Sequence, residues 1–166
     1  MAVAVVFPGQ GSQSVGMEQE LGSLALEQLS IADKVLNRSL TKLVKNGPVE
    51  DLNLTVNAQP AIFALNYAYW LSLAAKGVQP SFLAGHSLGE LSAYLASGVF
   101  NFPTGLKVVQ KRAELMHEAA LKYPGVMLAV LGLSDAEVKK VCAQFGYEVA
   151  NFNCPGQVVV ALKKSD

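Results

Sequence analysis

The residues best suited to chemistry lie in one short segment, residues 85–89, which read G-H-S-L-G. This spacing matches G-x-S-x-G, the nucleophile elbow, in which a sharp turn from a strand into a helix exposes a serine oxygen. Small residues two positions to either side of Ser87 allow the backbone to fold that tightly. The hydroxyl would lie at a helix N-terminus, where backbone N–H groups and the helix dipole can stabilise an oxyanion. The motif therefore predicts covalent catalysis through Ser87, provided that a strand precedes it and a helix follows.

A serine nucleophile needs a base within hydrogen-bond reach, and the sequence contains two histidines, His86 and His117. His86 adjoins Ser87 in a turn that points consecutive side chains apart, so it is a poor base. We expect His86 to be packed and hydrogen-bonded behind the nucleophile. His117 falls near the C-terminal end of a predicted helix and is interpreted as structural or solvent-facing. The base is therefore not evident in these 166 residues.

Arg112 is the charged residue whose neighbours are most informative. On a helix, its neighbours three and four positions away are all apolar, namely Val108, Val109, Leu115 and Met116. This pattern predicts that the guanidinium is buried, and a buried arginine needs an anion because its charge cannot be neutralised. Two interpretations remain open: an internal ion pair with an Asp or Glu, or a bidentate clamp for a substrate carboxylate.

The elements that would position these residues alternate between strands and helices. Residues 3–7 form a continuous apolar run, typical of a parallel strand covered on both faces, and end in the glycine-rich loop 8–13. A second short apolar strand spans residues 82–84, directly before the elbow. Helices are predicted from about residue 60 to 75, from the elbow to residue 98, and from about 103 to 120. This order predicts an α/β domain with a parallel sheet.

The pattern changes after residue 123. Residues 126–131 read as a strand, and Ser134 and Glu137 form a capping box that opens a helix to about residue 145. Two further strands are predicted at 147–152 and 157–162. The resulting β-α-β-β order is most of a ferredoxin-type β-α-β-β-α-β unit. We therefore expect two domains, 1–123 and 124–166, and a sequence that is cut short of a complete architecture.

The composition excludes several classes of function. Hydrophobic residues make up 51% of the chain, and 13 basic residues balance 13 acidic ones, so neither a nucleic-acid nor a membrane-surface partner is indicated. The two cysteines lack the spacing of a zinc site or a disulfide framework and are expected to be reduced thiols. The short apolar start lacks a signal peptide's basic region, and no apolar run reaches the length of a membrane span. The expected location is the cytoplasm.

Five motifs in a fixed order carry a resemblance to a known family. They occupy residues 7–13, 57–61, 85–90, 110–112 and 151–157, and read F-P-G-Q-G-S-Q, N-A-Q-P-A, G-H-S-L-G-E, Q-K-R and N-F-N-C-P-G-Q. In these motifs the chain resembles the malonyl-CoA:acyl carrier protein transacylases and, more broadly, the acyltransferase domains of fatty acid and polyketide synthases. The resemblance covers the whole chain and corresponds to the N-terminal half of the family.

The resemblance assigns roles to individual residues. Ser87 would form the acyl-enzyme ester, and the backbone N–H groups of Gln10 and Leu88 would form the oxyanion hole. Arg112 would hold the malonyl carboxylate, which favours the clamp over the internal ion pair. Three further polar residues would lie around the acyl pocket: Gln59, Asn151 and Asn153.

The resemblance also implies a fold and a reaction. The fold would be a parallel-sheet, hydrolase-like acyltransferase core with an inserted ferredoxin-like small subdomain, both incomplete in this chain. Malonyl-CoA would be the thioester substrate and acyl carrier protein the acceptor, with no bound cofactor, no metal and a ping-pong serine ester mechanism. The family's catalytic histidine comes from a segment later than Asp166.

Two other functions remain as alternatives. A serine esterase of the α/β-hydrolase type would share the elbow, but it would have no use for the Gln10 loop or for a buried Arg112. A fragment without the catalytic histidine could fold and catalyse nothing.

Overall fold

The computed structural model describes residues 2–163 of the chain, which divide into two compact units with a boundary between His117 and Glu118. The first unit contains β1 (Ala4–Phe7), α1 (Ser23–Leu36), α2 (Leu40–Asn46), α3 (Val49–Asn53), α4 (Thr55–Ala75), β2 (Phe82–Gly85), α5 (Leu88–Ala96) and most of α6 (Phe102–Lys122). The second unit contains β3 (Gly125–Leu131), α7 (Asp135–Phe145), β4 (Glu148–Cys154) and β5 (Gln157–Lys163). The predicted order of strands and helices is confirmed.

The strands of the first unit are parallel, as the sequence predicts. β1 pairs with β2 in a register that sets Phe7 opposite Gly85. The carboxyl ends of both strands therefore meet at one edge of the sheet. The glycine-rich loop leaves β1 at this edge, and the G-H-S-L-G elbow leaves β2 at the same edge, so two distant motifs are brought together.

The expectation that β1 is covered on both faces is wrong for the described residues. Val6 is 68% exposed and Phe82, on β2, is 65% exposed. Among residues 2–163 this sheet has only two strands, so little of the chain is available to cover its second face. Phe7 alone in β1 is buried.

Helix α4 is the centre of the first unit's core. Residues 58–66 and Ala68 are all buried, and the surrounding cluster takes apolar side chains from each of α1 to α6. A helix that is buried on nearly all sides is apolar all round, and this is why α4 shows little amphipathic pattern. Its packing fixes the polar side chains that it carries.

Helix α4 begins at Thr55, earlier than the predicted start at Pro60. Proline has no N–H to donate to the carbonyl four residues earlier, which leaves the Val56 carbonyl without its helical partner. The side chain of Arg38 supplies that bond, because its Nη2 donates to Val56 O at 2.5 Å. A tertiary contact thus allows the helix to extend beyond its proline.

The second unit is a three-stranded antiparallel sheet in the order β3-β5-β4, with α7 as its helix. The predicted capping box is confirmed, with Ser134 and Glu137 each bonding the other's backbone N–H. The buried apolar cluster is small and consists of Val138, Cys142, Val158 and Val160. Within the described part of the chain, no helix has the length and apolar character needed to cross a membrane.

Candidate active site

Ser87 lies at the turn between β2 and α5, where it is the N-cap of α5. Its backbone has φ 52° and ψ −109°, and its side chain is exposed. A positive φ is uncommon for a residue with a Cβ and persists only where the surrounding structure imposes it. The strand before and the helix after confirm the structural context that the motif requires.

The two flanking glycines are required by close backbone contacts. A Cβ on Gly85 would lie 2.0 Å from the Gly89 carbonyl carbon, and a Cβ on Gly89 would lie 2.0 Å from the Phe7 carbonyl oxygen. No side chain fits at such distances. The prediction that small residues on both sides of Ser87 permit the turn is therefore confirmed, and Gly89 also admits the end of β1.

The loop after β1 packs directly against the elbow. The His86 N–H donates to Phe7 O at 3.2 Å, and a Cβ on Gly9 would lie 2.6 Å from His86 O. This contact places Gln10 beside the start of α5. In the described chain, neither the Gln10 nor the Leu88 backbone N–H donates to a protein acceptor. Neither donor is therefore engaged by the described protein groups, although Leu88 as a whole is fully buried.

Arg112 reaches the nucleophile from α6. Its Nη2 donates to Ser87 Oγ at 3.1 Å, and its Nη1 donates to Gln59 Oε1 at 2.6 Å. The partners in both bonds are uncharged, so the positive charge of the guanidinium is not neutralised by either. No internal ion pair of Arg112 with an Asp or Glu occurs among residues 2–163, where Lys111–Glu114 is the ion pair found, at 3.9 Å.

The prediction that Arg112 is buried is wrong, because it is only half-buried. Of its four apolar helix neighbours only Val109 is buried, while the other three are exposed: Val108, Leu115 and Met116. The buried stripe of α6 is narrower and runs through Phe102, Gly105, Leu106, Val109 and Ala113. Arg112 lies at the border of this stripe. Helical spacing identified its neighbours correctly but not which of them the fold covers.

Gln59 connects the arginine to the glycine-rich loop. It is fully buried in α4, and its Oε1 accepts the bond from Arg112. Its Nε2 donates to Gln10 Oε1 at 3.4 Å and to Met116 Sδ at 3.3 Å. A buried amide is ordered by such bonds, so Gln59 holds Arg112 and the Gln10 side chain in one network.

The remaining predicted site residues divide between the two units. His86 is exposed beside Ser87, so the expectation that it is packed behind the nucleophile is wrong, and His117 is partly exposed on α6. Asn151 and Asn153 lie on β4 of the second unit, where Asn153 Nδ2 donates to Gln157 Oε1 at 2.9 Å. The first unit thus brings together the remaining five predicted residues: Gln10, Gln59, Ser87, Leu88 and Arg112.

Sequence reasoning missed two residues that brace the site. Arg38, which follows α1, donates to Asn57 Oδ1, Val56 O and, at 2.8 Å, Gln110 Oε1, and so joins the start of α4 to α6. Burial lowers the pKa of Arg38, while the nearby Glu114 and Asp33 carboxylates act in the opposite direction. Asn66 is the second such residue, and its contacts are described below. Pro60 was the one signal in the sequence, because a proline inside a helix leaves the carbonyl four residues earlier, that of Val56, in need of another hydrogen-bond donor.

This arrangement suits a substrate that carries an anion. It has a serine oxygen at a helix N-terminus, two N–H groups without a described protein acceptor, and a guanidinium beside the serine. No cluster of three or more His, Cys, Asp or Glu side chains that could hold a metal ion occurs among the described residues. The fold and the geometry at Ser87 define an α/β protein with a nucleophile-elbow turn.

Comparison with known proteins specifies the family. The acyl transferase domain family matches residues 4–165, so the chain belongs to that family. The curated malonyl CoA-acyl carrier protein transacylases of Salmonella typhimurium and Bacillus subtilis are 42% and 40% identical, over 97% and 96% of this chain. The resemblance seen in the sequence motifs is confirmed. The chain spans about half the length of these relatives, 55% and 53% respectively.

Solved structures show the same similarity. A malonyl-transacylase in complex with a type II polyketide synthase acyl-carrier protein superposes with a TM-score of 0.94 at 39% identity. An acyl carrier protein S-malonyltransferase from Vibrio cholerae gives a TM-score of 0.91 at 44% identity. Each match covers 99% of this chain and 56% of the solved chain. The chain therefore has the mixed α/β acyltransferase fold with a parallel sheet.

Proposed function

We propose that this chain carries the nucleophile and the acyl-group clamp of a malonyl-CoA:acyl carrier protein transacylase, acting in fatty acid or polyketide synthesis. The observation that supports this most directly is the 3.1 Å hydrogen bond from Arg112 Nη2 to Ser87 Oγ. The guanidinium, which pairs with no carboxylate among residues 2–163, thus lies within reach of an acyl group on the serine. The names of the relatives agree with this substrate class.

The reaction has two halves that use the same serine. Ser87 Oγ attacks the thioester carbonyl of malonyl-CoA, the O–C bond forms, the C–S bond breaks, and the hydroxyl proton ends on the CoA thiol. The phosphopantetheine thiol of acyl carrier protein then attacks the ester, takes the malonyl group and returns a proton to Ser87. In each half, the Gln10 and Leu88 N–H groups stabilise the oxyanion. A later segment of the family's fold supplies the histidine base.

Arg112 determines which acyl group is accepted. A guanidinium binds a carboxylate through two parallel hydrogen bonds, and only an acyl group with a distal carboxylate can use them. Gln59 keeps Arg112 in place from the buried side, and the roles of Asn151 and Asn153 stay predictions. A serine esterase acting on neutral esters has no need of this cation, so the Arg112 contacts favour the transacylase.

The architecture is proposed to be a hydrolase-like core, residues 1–123, with a ferredoxin-like subdomain in residues 124–166. The antiparallel order β3-β5-β4 with one helix supports this, because three strands and a helix of a ferredoxin-type unit adopt this arrangement. The CoA thioester enters as a substrate, and the proposed chemistry needs no resident cofactor. The two free thiols agree with a cytoplasmic location.

The test is acylation followed by mass mapping. The chain is incubated with malonyl-CoA, alone and with a polypeptide supplying the rest of the family's fold, and the expected result is a malonyl ester on the peptide that contains Ser87. Ser87→Ala is expected to lose the adduct while remaining folded, because an exposed hydroxyl contributes little to packing. An adduct on another residue, or turnover of p-nitrophenyl acetate in preference to malonyl-CoA, would contradict the proposal.

A further inference from the structure

Asn66 is a buried amide in the middle of α4, behind the proposed oxyanion hole. It is 4% exposed, and an asparagine in a helix interior is neutral to unfavourable for helix formation. Its Nδ2 donates to two acceptors from different parts of the chain, Pro8 O at 3.1 Å and Ser92 Oγ at 3.0 Å. Ser92 is itself only 2% exposed. The bond to Ser92 is therefore shielded from water, and the bond to Pro8 is partly shielded.

The two acceptors belong to the two segments that carry the proposed oxyanion donors. The Pro8 carbonyl lies two residues before Gln10, on the loop that leaves β1. Ser92 lies on α5, which begins at Leu88 directly after the nucleophile. One NH₂ group thus joins the loop that contributes the Gln10 N–H to the helix that contributes the Leu88 N–H.

The glycine-rich loop is held on two sides, by the elbow and by α4. On the elbow side, the His86 N–H donates to Phe7 O at 3.2 Å, and the Gly89 Cα lies against the Phe7 and Pro8 carbonyls. These contacts hold the loop close to the elbow, and the Gln10 side chain is held separately by Thr55 and Gln59. Asn66 is the side chain that restrains Pro8 from the core side.

We propose that Asn66 is a positioning residue that sets the Gln10 N–H and the Leu88 N–H at the separation needed for both to bond one oxyanion. The proposal rests on the function proposed above. Asn66 touches neither Ser87 nor Arg112 in the described contacts, so it acts on the rate of acyl transfer and not on recognition of the acyl group. Removing one oxyanion donor outright lowers kcat by about 10²–10³, and a displaced donor loses part of that.

The principal variant is Asn66→Leu, which keeps the size of the side chain and removes both donors. With the polypeptide that supplies the rest of the family's fold present, the saturating rate of Ser87 acylation is expected to fall by about tenfold or more, by the same factor for malonyl-CoA and acetyl-CoA. The half-saturating concentrations are expected to stay unchanged, because no substrate contact is lost. In the same variant, hydrogen exchange of the His86 amide is expected to accelerate by about tenfold, since the loop that pairs with it is released.

The matched control is Tyr69→Phe, on the same helix, which removes a side-chain donor that bonds the Glu20 carboxylate. This control should leave His86 exchange at the wild-type rate. Slow exchange within the buried part of α4 shows that each variant is folded. Where Asn66→Leu does not fold, Ser92→Ala decides, because it removes the α5 end of the bridge and should change both measurements in the same direction by less.

Unchanged His86 exchange and acylation in a folded Asn66→Leu protein would overturn the proposal, and so would a rise in the half-saturating concentration alone. The failure of the proposed function looks different. In that case the wild-type chain forms no Ser87 adduct even with the polypeptide that supplies the rest of the family's fold, while the exchange measurement still decides whether Asn66 holds the loop.

Discussion

The two units of this chain differ in how much core supports their polar groups. In the first unit, apolar side chains from α1 to α6 surround α4, and the buried amides Gln59 and Asn66 project from it toward the site. In the second unit, the buried cluster draws only on α7 and β5. Several large apolar side chains on the sheet and helix remain exposed there: Met127, Leu128, Leu131, Phe145 and Phe152.

This difference suggests where precise geometry can be maintained. Close-packed interiors hold side chains in single rotamers, whereas sparsely packed regions open at lower free energy. The Ser87, Arg112 and Gln59 contacts depend on the first unit. The second unit's own residues give Asn151 and Asn153 much less support. Four experiments test this comparison, and they are given in order of expected effect.

The largest effect is expected from supplying the rest of the family's fold. The first unit has a nucleophile and donors but, in our proposal, no base, and removing one member of a coupled serine–histidine unit lowers kcat by about 10⁴–10⁶. Transfer of malonyl from CoA to acyl carrier protein should therefore be near background for the chain alone. Adding the remaining segment in trans should raise the rate, measured with radiolabelled malonyl-CoA. Full-rate transfer by the chain alone would return His86 or His117 to consideration as the base.

The next effect concerns the clamp within the first unit. Arg112→Ala is expected to reduce the preference for malonyl-CoA over acetyl-CoA by about one to two decades, the equivalent of about 1.5–3 kcal/mol for a charge-assisted contact. Rates of Ser87 acylation with the two thioesters measure this preference. Lys111→Ala is the matched control, because Lys111 is exposed and pairs only with Glu114 in the described contacts. Equal losses for both thioesters would show that Arg112 is structural.

A smaller effect is expected from weakening the core of the second unit. Val160 is 4% exposed on the central strand β5, and truncating a buried branched side chain costs about 1–3 kcal/mol. Val160→Ala should therefore accelerate hydrogen exchange across β3, β4 and β5 and leave exchange in α4 unchanged. Acceleration of α4 by the same factor would show that the two units unfold together, contrary to the comparison.

The smallest effect concerns the capping box of α7. Hydrogen bonds from the Ser134 side chain and backbone lower the pKa of Glu137. A lowered carboxyl pKa stabilises the fold above the ordinary pKa, and this contribution is lost as the pH falls through the lowered value. In Ser134→Ala, the pKa of Glu137 should rise toward its ordinary value, as measured by a ¹³C NMR titration. No change in the titration would show that the box does not form in solution.

Local patterns were sufficient for much of the fold and part of the site. The elbow was predictable because its glycines are required by backbone contacts within the motif and with β1. The capping box was predictable because Ser134 and Glu137 interact within one turn of helix. The parallel pairing of β1 and β2 followed from the alternation of strands and helices. The resemblance to the family rested on five motifs, and a match over residues 4–165 confirmed it.

Contacts between distant segments were not predictable in this way. The sequence placed Arg112 among apolar helix neighbours, but which of those neighbours are covered depends on the other helices packed against α6. The early start of α4 depends on Arg38, a residue 18 positions before the carbonyl that it satisfies. Nothing in the local pattern distinguishes a buried Asn66 that bridges two segments from an amide exposed on a helix surface.

The sequence by itself therefore determined the turn at Ser87, the order of the elements and the family. These depend on steric and hydrogen-bonding requirements among residues a few positions apart. Only the tertiary structure decided how far Arg112 is buried and which atoms it bonds. It also decided that Gln59 connects Arg112 to the core and that Asn66 connects the Pro8–Gln13 loop to the core. Those outcomes depend on contacts between segments that are far apart in the chain. Arg112 and Ser87 are separated by 25 positions, and Asn66 and Pro8 by 58. Periodicity and motif spacing carry no information about such distances.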